Sequence, residues 1–188
     1  MINSILTGHL LGDGSLQKNN NSYKRNYYFN MTSKYKEYLE WIINSSSSLF
    51  SGRPIWNFST FDNRTNKTYY WFGMKSLTSK KLTTLRAKWY PQGIKEIPLD
   101  LKLDKISLLR WFMDDGSKAT NGGNYLATDG CRKEEIEFIK TIVKRDLSLE
   151  TSLHKNGSHF RLYFNKAQSN NFYKLLGPCP VNSFNYKW

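Results

Sequence analysis

Two short acidic turns carry the residues best placed for chemistry. Leu10-Leu11-Gly12-Asp13-Gly14-Ser15 and Phe112-Met113-Asp114-Asp115-Gly116-Ser117 each close an apolar run, and Asp13 and Asp115 lie 102 positions apart. One Asp-Gly step alone is an ordinary turn or helix stop. The matched pair predicts more. Gly8 and Gly12 are spaced i, i+4, a smooth stripe that lets a second helix approach closely. If the two runs pack together, Asp13 and Asp115 converge. Carboxylates meeting amid positive charge repel each other unless a divalent cation lies between them. Hard oxygen ligands favour Mg²⁺ or a similar ion, and beside phosphates such a pair suits metal-assisted phosphodiester hydrolysis.

The charge predicts that phosphates are the partner. The 188 residues carry 28 Lys and Arg against 15 Asp and Glu, a net +13, and the isoelectric point is about 9.7. The excess is shared: residues 1–94 hold 13 basic and 4 acidic side chains, residues 95–188 hold 15 and 11. A polyanion, whether DNA, RNA or an anionic membrane surface, is the implied partner. With 15% aromatic and 39% hydrophobic residues, the chain is no disordered basic tail. No stretch reaches the roughly 18 apolar residues of a spanning helix, and MINSILTGHLLGDG, with no basic start and an acid in its apolar run, does not read as a signal peptide. Cys131 and Cys179 are the two cysteines and no CxxC occurs. Neither a zinc site nor a disulfide framework is expected, and a reducing intracellular compartment fits, either an organelle (mitochondrion or chloroplast) or a prokaryotic cytoplasm.

The elements that must position the acids repeat. A short apolar helix over 3–12 precedes an alternating strand over 23–32, with Tyr27, Phe29 and Met31 on one face. A helix from about Lys34 follows, striped by Tyr35, Tyr38, Leu39 and Ile42. Strands near 54–61 and 67–74 and a helix with Leu77, Leu82, Leu85 and Trp89 complete the first half. The second half repeats the order: a helix near 104–114, strand material at 117–128, a helix near 132–146, strands near 150–155 and 159–164, and a last helix with Ala167, Phe172 and Leu175. QKNNNS (17–22), NSSSS (44–48) and TNGGN (120–124) read as turns or loop tips. The fold class is α+β: an αββαββα unit used twice, 1–99 and 100–188. Such a repeat implies a pseudo-twofold monomer whose antiparallel sheets form a saddle for DNA.

LTGHLLGDG (6–14) and LLRWFMDDG (108–116) resemble the two motifs of a monomeric LAGLIDADG homing endonuclease, the second motif resembling the subgroup found in ribosomal-RNA introns. The resemblance spans nearly the whole chain and implies cleavage of both strands of a long asymmetric duplex site, leaving short 3′ overhangs. It implies that Asp13 and Asp115 bind the metal, that the carbonyls of Gly12 and Asp114 add ligands, and that Lys95 and Lys187 orient water and steady charge on phosphate. The cofactor implied is Mg²⁺, with Mn²⁺ as a substitute and Ca²⁺ able to bind without supporting cleavage. The sequence departs from the pattern where Arg110 and Asp114 replace the glycines of the first motif. Two rival functions remain open: an intron RNA maturase and a DNA-binding protein without catalysis.

For DNA contact the polar strand faces are the candidates: Lys24, Asn26, Tyr28 and Asn30, then Tyr69 and Lys75, and in the second half Lys118, His159, Arg161 and Tyr163. Arg and Lys can read guanine edges and Asn can read adenine, although most such contacts go to phosphate. Trp71 is expected in the core. Asn30 or Thr32, and His154 or Lys155, are candidates for supporting polar positions nearer the metal.

Overall fold

The computed structural model describes residues 1–19 and 26–188. They form an α+β fold: two four-stranded antiparallel sheets, each with helices on one face. The first half runs α1 (Ile2–Leu11), β1 (Ser15–Lys18), β2 (Tyr27–Ser33), α2 (Lys36–Ser45), α3 (Ser47–Phe50), β3 (Trp56–Asp62), β4 (Lys67–Lys75) and α4 (Lys80–Trp89). The second runs α5 (Lys105–Asp115), β5 (Gly116–Lys118), β6 (Asn124–Ala127), α6 (Lys133–Leu147), β7 (Ser152–Asn156), β8 (His159–Phe164), α7 (Lys166–Leu176) and a 3₁₀ turn, Asn182–Lys187. The strand orders β1-β2-β4-β3 and β5-β6-β8-β7 are the same pattern twice, as the repeat in the sequence predicts.

By compactness the chain divides into residues 13–95 and a second unit built from 1–12 with 96–188. In the 13–95 unit, Leu16, Phe29, Met31 and Met74 point from the sheet into a core closed by Tyr38, Leu39 and Ile42 of α2 and Leu82 and Trp89 of α4. In the other unit Leu126, Leu162 and Phe164 do the same, with Ile136, Ile139 and Val143 of α6 and Phe172 of α7. Also in that unit, α1 lies against α5. A Cβ on Gly8 would come within 2.4 Å of the Ser107 carbonyl, and one on Gly12 within 2.5 Å of the Asp114 Cβ. The glycine stripe therefore serves close approach, as expected. It receives the roots of Arg110 and Asp114 rather than a matching pair of glycines.

Local chemistry sets the helix starts. Asp104 accepts the Ser107 N–H at 2.8 Å while the Ser107 hydroxyl accepts the Asp104 N–H at 2.8 Å, a reciprocal cap on α5. The Ser4 hydroxyl of α1 donates to the same carboxylate at 2.6 Å. Burial opposes ionisation of Asp104, but the bonds from Ser4 and Ser107 outweigh it and hold the carboxyl below its ordinary range.

Four local expectations need correction. NSSSS is not a loop tip: α2 runs to Ser45 and α3 starts at Ser47, because the Ser45 and Ser46 hydroxyls donate back to the Ile42 carbonyl at 2.9 and 2.6 Å. Tyr35 and Leu77 lie outside α2 and α4 and are exposed. The buried stripe of α7 is Ser169, Phe172 and Leu176, not Ala167, Phe172 and Leu175. The 3₁₀ turn at Asn182–Lys187 was not expected. No helix among the described residues is long and apolar enough to cross a membrane.

Candidate functional site

Asp115 is the last residue of α5 and is half-buried; Asp13, two residues past the end of α1, is exposed. Asp115 therefore lies at the carbonyl-rich end of α5, where the macrodipole favours a cation. A lysine bonds a backbone carbonyl next to each acid. Lys95 Nζ donates to the Gly14 carbonyl at 3.3 Å. Lys187 Nζ donates to the carbonyls of Phe112, Met113 and Asp114 at 3.3, 2.6 and 3.1 Å, and Lys187 is only 5% exposed. An ammonium has three protons, so these contacts can use all of them.

The 3₁₀ turn delivers Lys187. Its neighbour Trp188 stacks edge-on against Phe112, centroids 5.3 Å apart, and donates its indole N–H to the Gly177 carbonyl at 2.8 Å. The Tyr173 hydroxyl of α7 lies 2.8 Å from the Lys187 carbonyl and 2.9 Å from Asn124 Oδ1, with its one proton shared between them. Burial pushes the Tyr173 hydroxyl up to about 12, so it stays a donor at neutral pH.

The Asp114 side chain turns away from solvent. Its Oδ2 lies 3.0 Å from His9 Nδ1, with both side chains fully buried. The sequence reading missed His9. The signal was there: aligned motif to motif, His9 stands against Trp111, and Arg110 and Asp114 stand against Gly8 and Gly12, so each helix is polar where the other is bland. A polar side chain in an apolar helix needs a partner, and His9 and Asp114 are partners.

Each motif offers one candidate carboxylate for a metal, Asp13 or Asp115, with backbone carbonyls next to it in the chain. Among the described residues no group of three or more His, Cys, Asp or Glu side chains gathers as a metal site. A sparse set of hard oxygens fits Mg²⁺, which keeps several waters and takes substrate phosphates as its remaining ligands. Of the two expected carbonyl ligands, that of Asp114 already accepts the Lys187 ammonium.

On the first sheet the registers Gln17↔Tyr28, Ser15↔Asn30, Asn30↔Lys75, Thr60↔Tyr69 and Phe58↔Trp71 put these residues on the face opposite the core. Tyr28, Asn30, Tyr69 and Lys75 are thus brought together as expected. Tyr28 donates to Gln17 at 3.1 Å. Asn26 lies just before β2, its carbonyl accepting the Asn19 N–H at 3.0 Å, and Lys24 lies outside the described residues. Trp71 is not core. It sits half-buried on the outer face, donating to Thr60 Oγ1 at 3.1 Å, with the Lys34 ammonium 5.3 Å from its ring. Lys34 also lies 5.8 Å from the Tyr69 ring, and Lys75 lies 5.9 Å from the Trp56 ring. The outer face is an array of aromatic rings with ammonium groups over them.

On the second sheet Ser117↔Tyr125↔Tyr163↔Ser152 and Ala127↔Arg161↔His154 share the outer face. His154 stacks on Tyr163 with centroids 4.0 Å apart, and its Nδ1 lies 3.3 Å from the Tyr125 hydroxyl. His159 pairs with Asn156 at the exposed tip. Lys118 departs from the expectation. It pairs with Asn124, which pairs with Phe164, so its register is that of the core face, and its ammonium lies 6.0 Å from the Tyr173 ring. A three-residue strand gives too few positions to read its alternation from sequence.

The sequence profile of the LAGLIDADG DNA endonuclease family matches residues 3–172. The chain belongs to that family. It is 28% identical over 97% of its length, and 81% of the relative's, to the probable intron-encoded endonuclease 1 of Wickerhamomyces canadensis. It is 24% identical over 97% of its length, and 71% of the relative's, to the cytochrome b mRNA maturase bI2 of Debaryomyces hansenii. Its fold is similar to that of the homing endonuclease I-WcaI bound to its DNA recognition sequence, with a TM-score of 0.87, 23% identity, and coverage of 98% of this chain and 84% of that one.

Proposed function

We propose that this LAGLIDADG protein is a site-specific, divalent-metal-dependent DNA endonuclease of the intron-homing kind, acting as a monomer on a long asymmetric duplex and leaving short 3′ overhangs. The halves 1–99 and 100–188 are read as two copies of one LAGLIDADG unit. The observation that carries the reading is an acid, Asp13 or Asp115, closing each motif, with a lysine ammonium bonded to the carbonyl of the residue next to it, Gly14 or Asp114. DNA binding without chemistry has no need of the pair.

In this reading the outer sheet faces bind the duplex through Tyr28, Asn30, Tyr69, Trp71, Lys75, His159, Arg161 and Tyr163, with phosphate contacts setting affinity. Asp13 and Asp115 each give carboxylate oxygen to a divalent cation, Mg²⁺ or Mn²⁺. A bound cation of this type lowers the pKa of its water and neutralises charge on the leaving oxygen. Lys95, whose Nζ donates to the Gly14 carbonyl at 3.3 Å, is read as a group that orients water and steadies charge on phosphate. Lys187 instead fixes the end of α5 and so the position of Asp115.

The deciding experiment is cleavage of the intronless host gene with Mg²⁺, set beside the intron-containing allele. Cutting of the intronless allele alone, abolished by Asp13→Asn or Asp115→Asn while binding survives, is the expected result. Undiminished cutting by both variants would overturn the assignment. The likeness to a maturase favours one second reading, assistance to splicing of the chain's own intron RNA, which would survive both substitutions.

A further inference from the structure

The outer face of the second sheet carries an acid where a polyanion would lie. Asp129 follows β6 in a turn closed by the Cys131 N–H to the Thr128 carbonyl at 2.9 Å. The buried Thr128 hydroxyl donates to the Phe160 carbonyl of β8 at 2.7 Å, tying the turn to the neighbouring strand. That placement sets the carboxylate against Arg161, with Nε 3.2 Å from Oδ1 and Nη2 2.8 Å from Oδ2. Asn156, at the end of β7, accepts from the same Nη2 and Nε at 2.8 and 3.1 Å when its amide is oriented to satisfy both ends. The Arg161 fork holds the Asp129 carboxyl below its ordinary range, so the pair is ionised at neutral pH.

A guanidinium paired in this way differs from a free one. Its charge is neutralised locally, which weakens its pull on phosphate, and its plane is fixed by two parallel bonds. Its Nε–Nη2 edge is occupied, leaving the Nη1 end to meet a base edge. We propose that Asp129 is a specificity-determining residue: it withholds Arg161 from phosphate and presents it for sequence readout. The proposal rests on the outer sheet face being the DNA face. Most of the +13 charge serves affinity without discrimination; Asp129 converts one of those cations to discrimination.

The test compares wild type with Asp129→Asn, which keeps the shape and loses the charge. Binding to a random-sequence duplex is titrated across a salt series without metal, and both proteins are used to select sites from a randomised duplex pool. Expected for Asp129→Asn is severalfold tighter binding to the random duplex. The log–log salt slope should steepen by about 0.9, the value for one further phosphate. The selected sites should also lose preference at one or two adjacent base pairs. Unchanged affinity and slope, or equal weakening on random and selected duplexes, would overturn the proposal. Arg161→Gln gives an independent arm: it should lose preference at the same base pairs with little change on random duplex, and the reverse pattern would also overturn it. Wild-type binding alone decides whether the chain has a DNA face; the variant-to-wild-type ratios decide the role of Asp129.

Discussion

Lys95 and Lys187, the lysines proposed to act in the two halves, bond differently. Lys95 is half-buried and donates to the Gly14 carbonyl. Lys187 is buried and reaches three carbonyls at the end of α5. Lys187 sits where α5 ends in unsatisfied acceptors and a cation is favoured; Lys95 instead meets the turn that leads into β1. The difference is in which carbonyls each ammonium meets and how deeply it is buried. In the proposed reading the two lysines have different duties: Lys95 acts toward substrate, while Lys187 fixes the end of α5.

The comparison can be broken most directly at the acids. Asp13→Asn and Asp115→Asn should each cut activity by more than about a hundredfold, beyond the range for losing only an outer partner of a metal ligand, in a plasmid-linearisation assay. A large loss from one and not the other would mean that the two ends also differ in chemistry. Lys187→Met should cost about 2–4 kcal/mol, because three buried carbonyls lose a charged donor. At this chain length that lowers Tm by about 4–16 °C in a thermal melt. A normal melt with lost cleavage would return Lys187 to a direct catalytic role. Gly12→Ala forces the Asp114 Cβ aside and should cost about 1–3 kcal/mol, read as a shifted urea midpoint. Lys95→Met should be smallest in stability, within about 0.5 kcal/mol, while slowing cleavage about tenfold or more in single-turnover kinetics. Loss of stability matching that of Lys187→Met would erase the distinction.

The repeat was legible because it is a periodic feature, and periodicity survives in sequence. The alternation of His159, Arg161 and Tyr163 against Phe160, Leu162 and Phe164 is confirmed by the register of β8, although Tyr163 is buried, with His154 stacked on it. Trp71 was not legible. It lies in the apolar run Tyr69-Tyr70-Trp71-Phe72, where either parity reads as buried, and only the pairing Met31↔Met74 fixes which side faces the core. Lys118 failed for want of strand length. The His9–Asp114 contact joins residues 105 positions apart, and no local pattern announces a partner at that distance.

The seam between α1 and α5 has a polarity of its own. One helix contributes absence, Gly8 and Gly12; the other contributes what fills it, Arg110 and Asp114. Two copies of α1 would leave a gap at that seam, and two copies of α5 would press like charges together without His9 to receive Asp114. The duplicated unit has thus become a keyed pair whose halves cannot be exchanged for one another. A chimera with another member of the family would have to transplant His9, Gly12, Arg110 and Asp114 as one set.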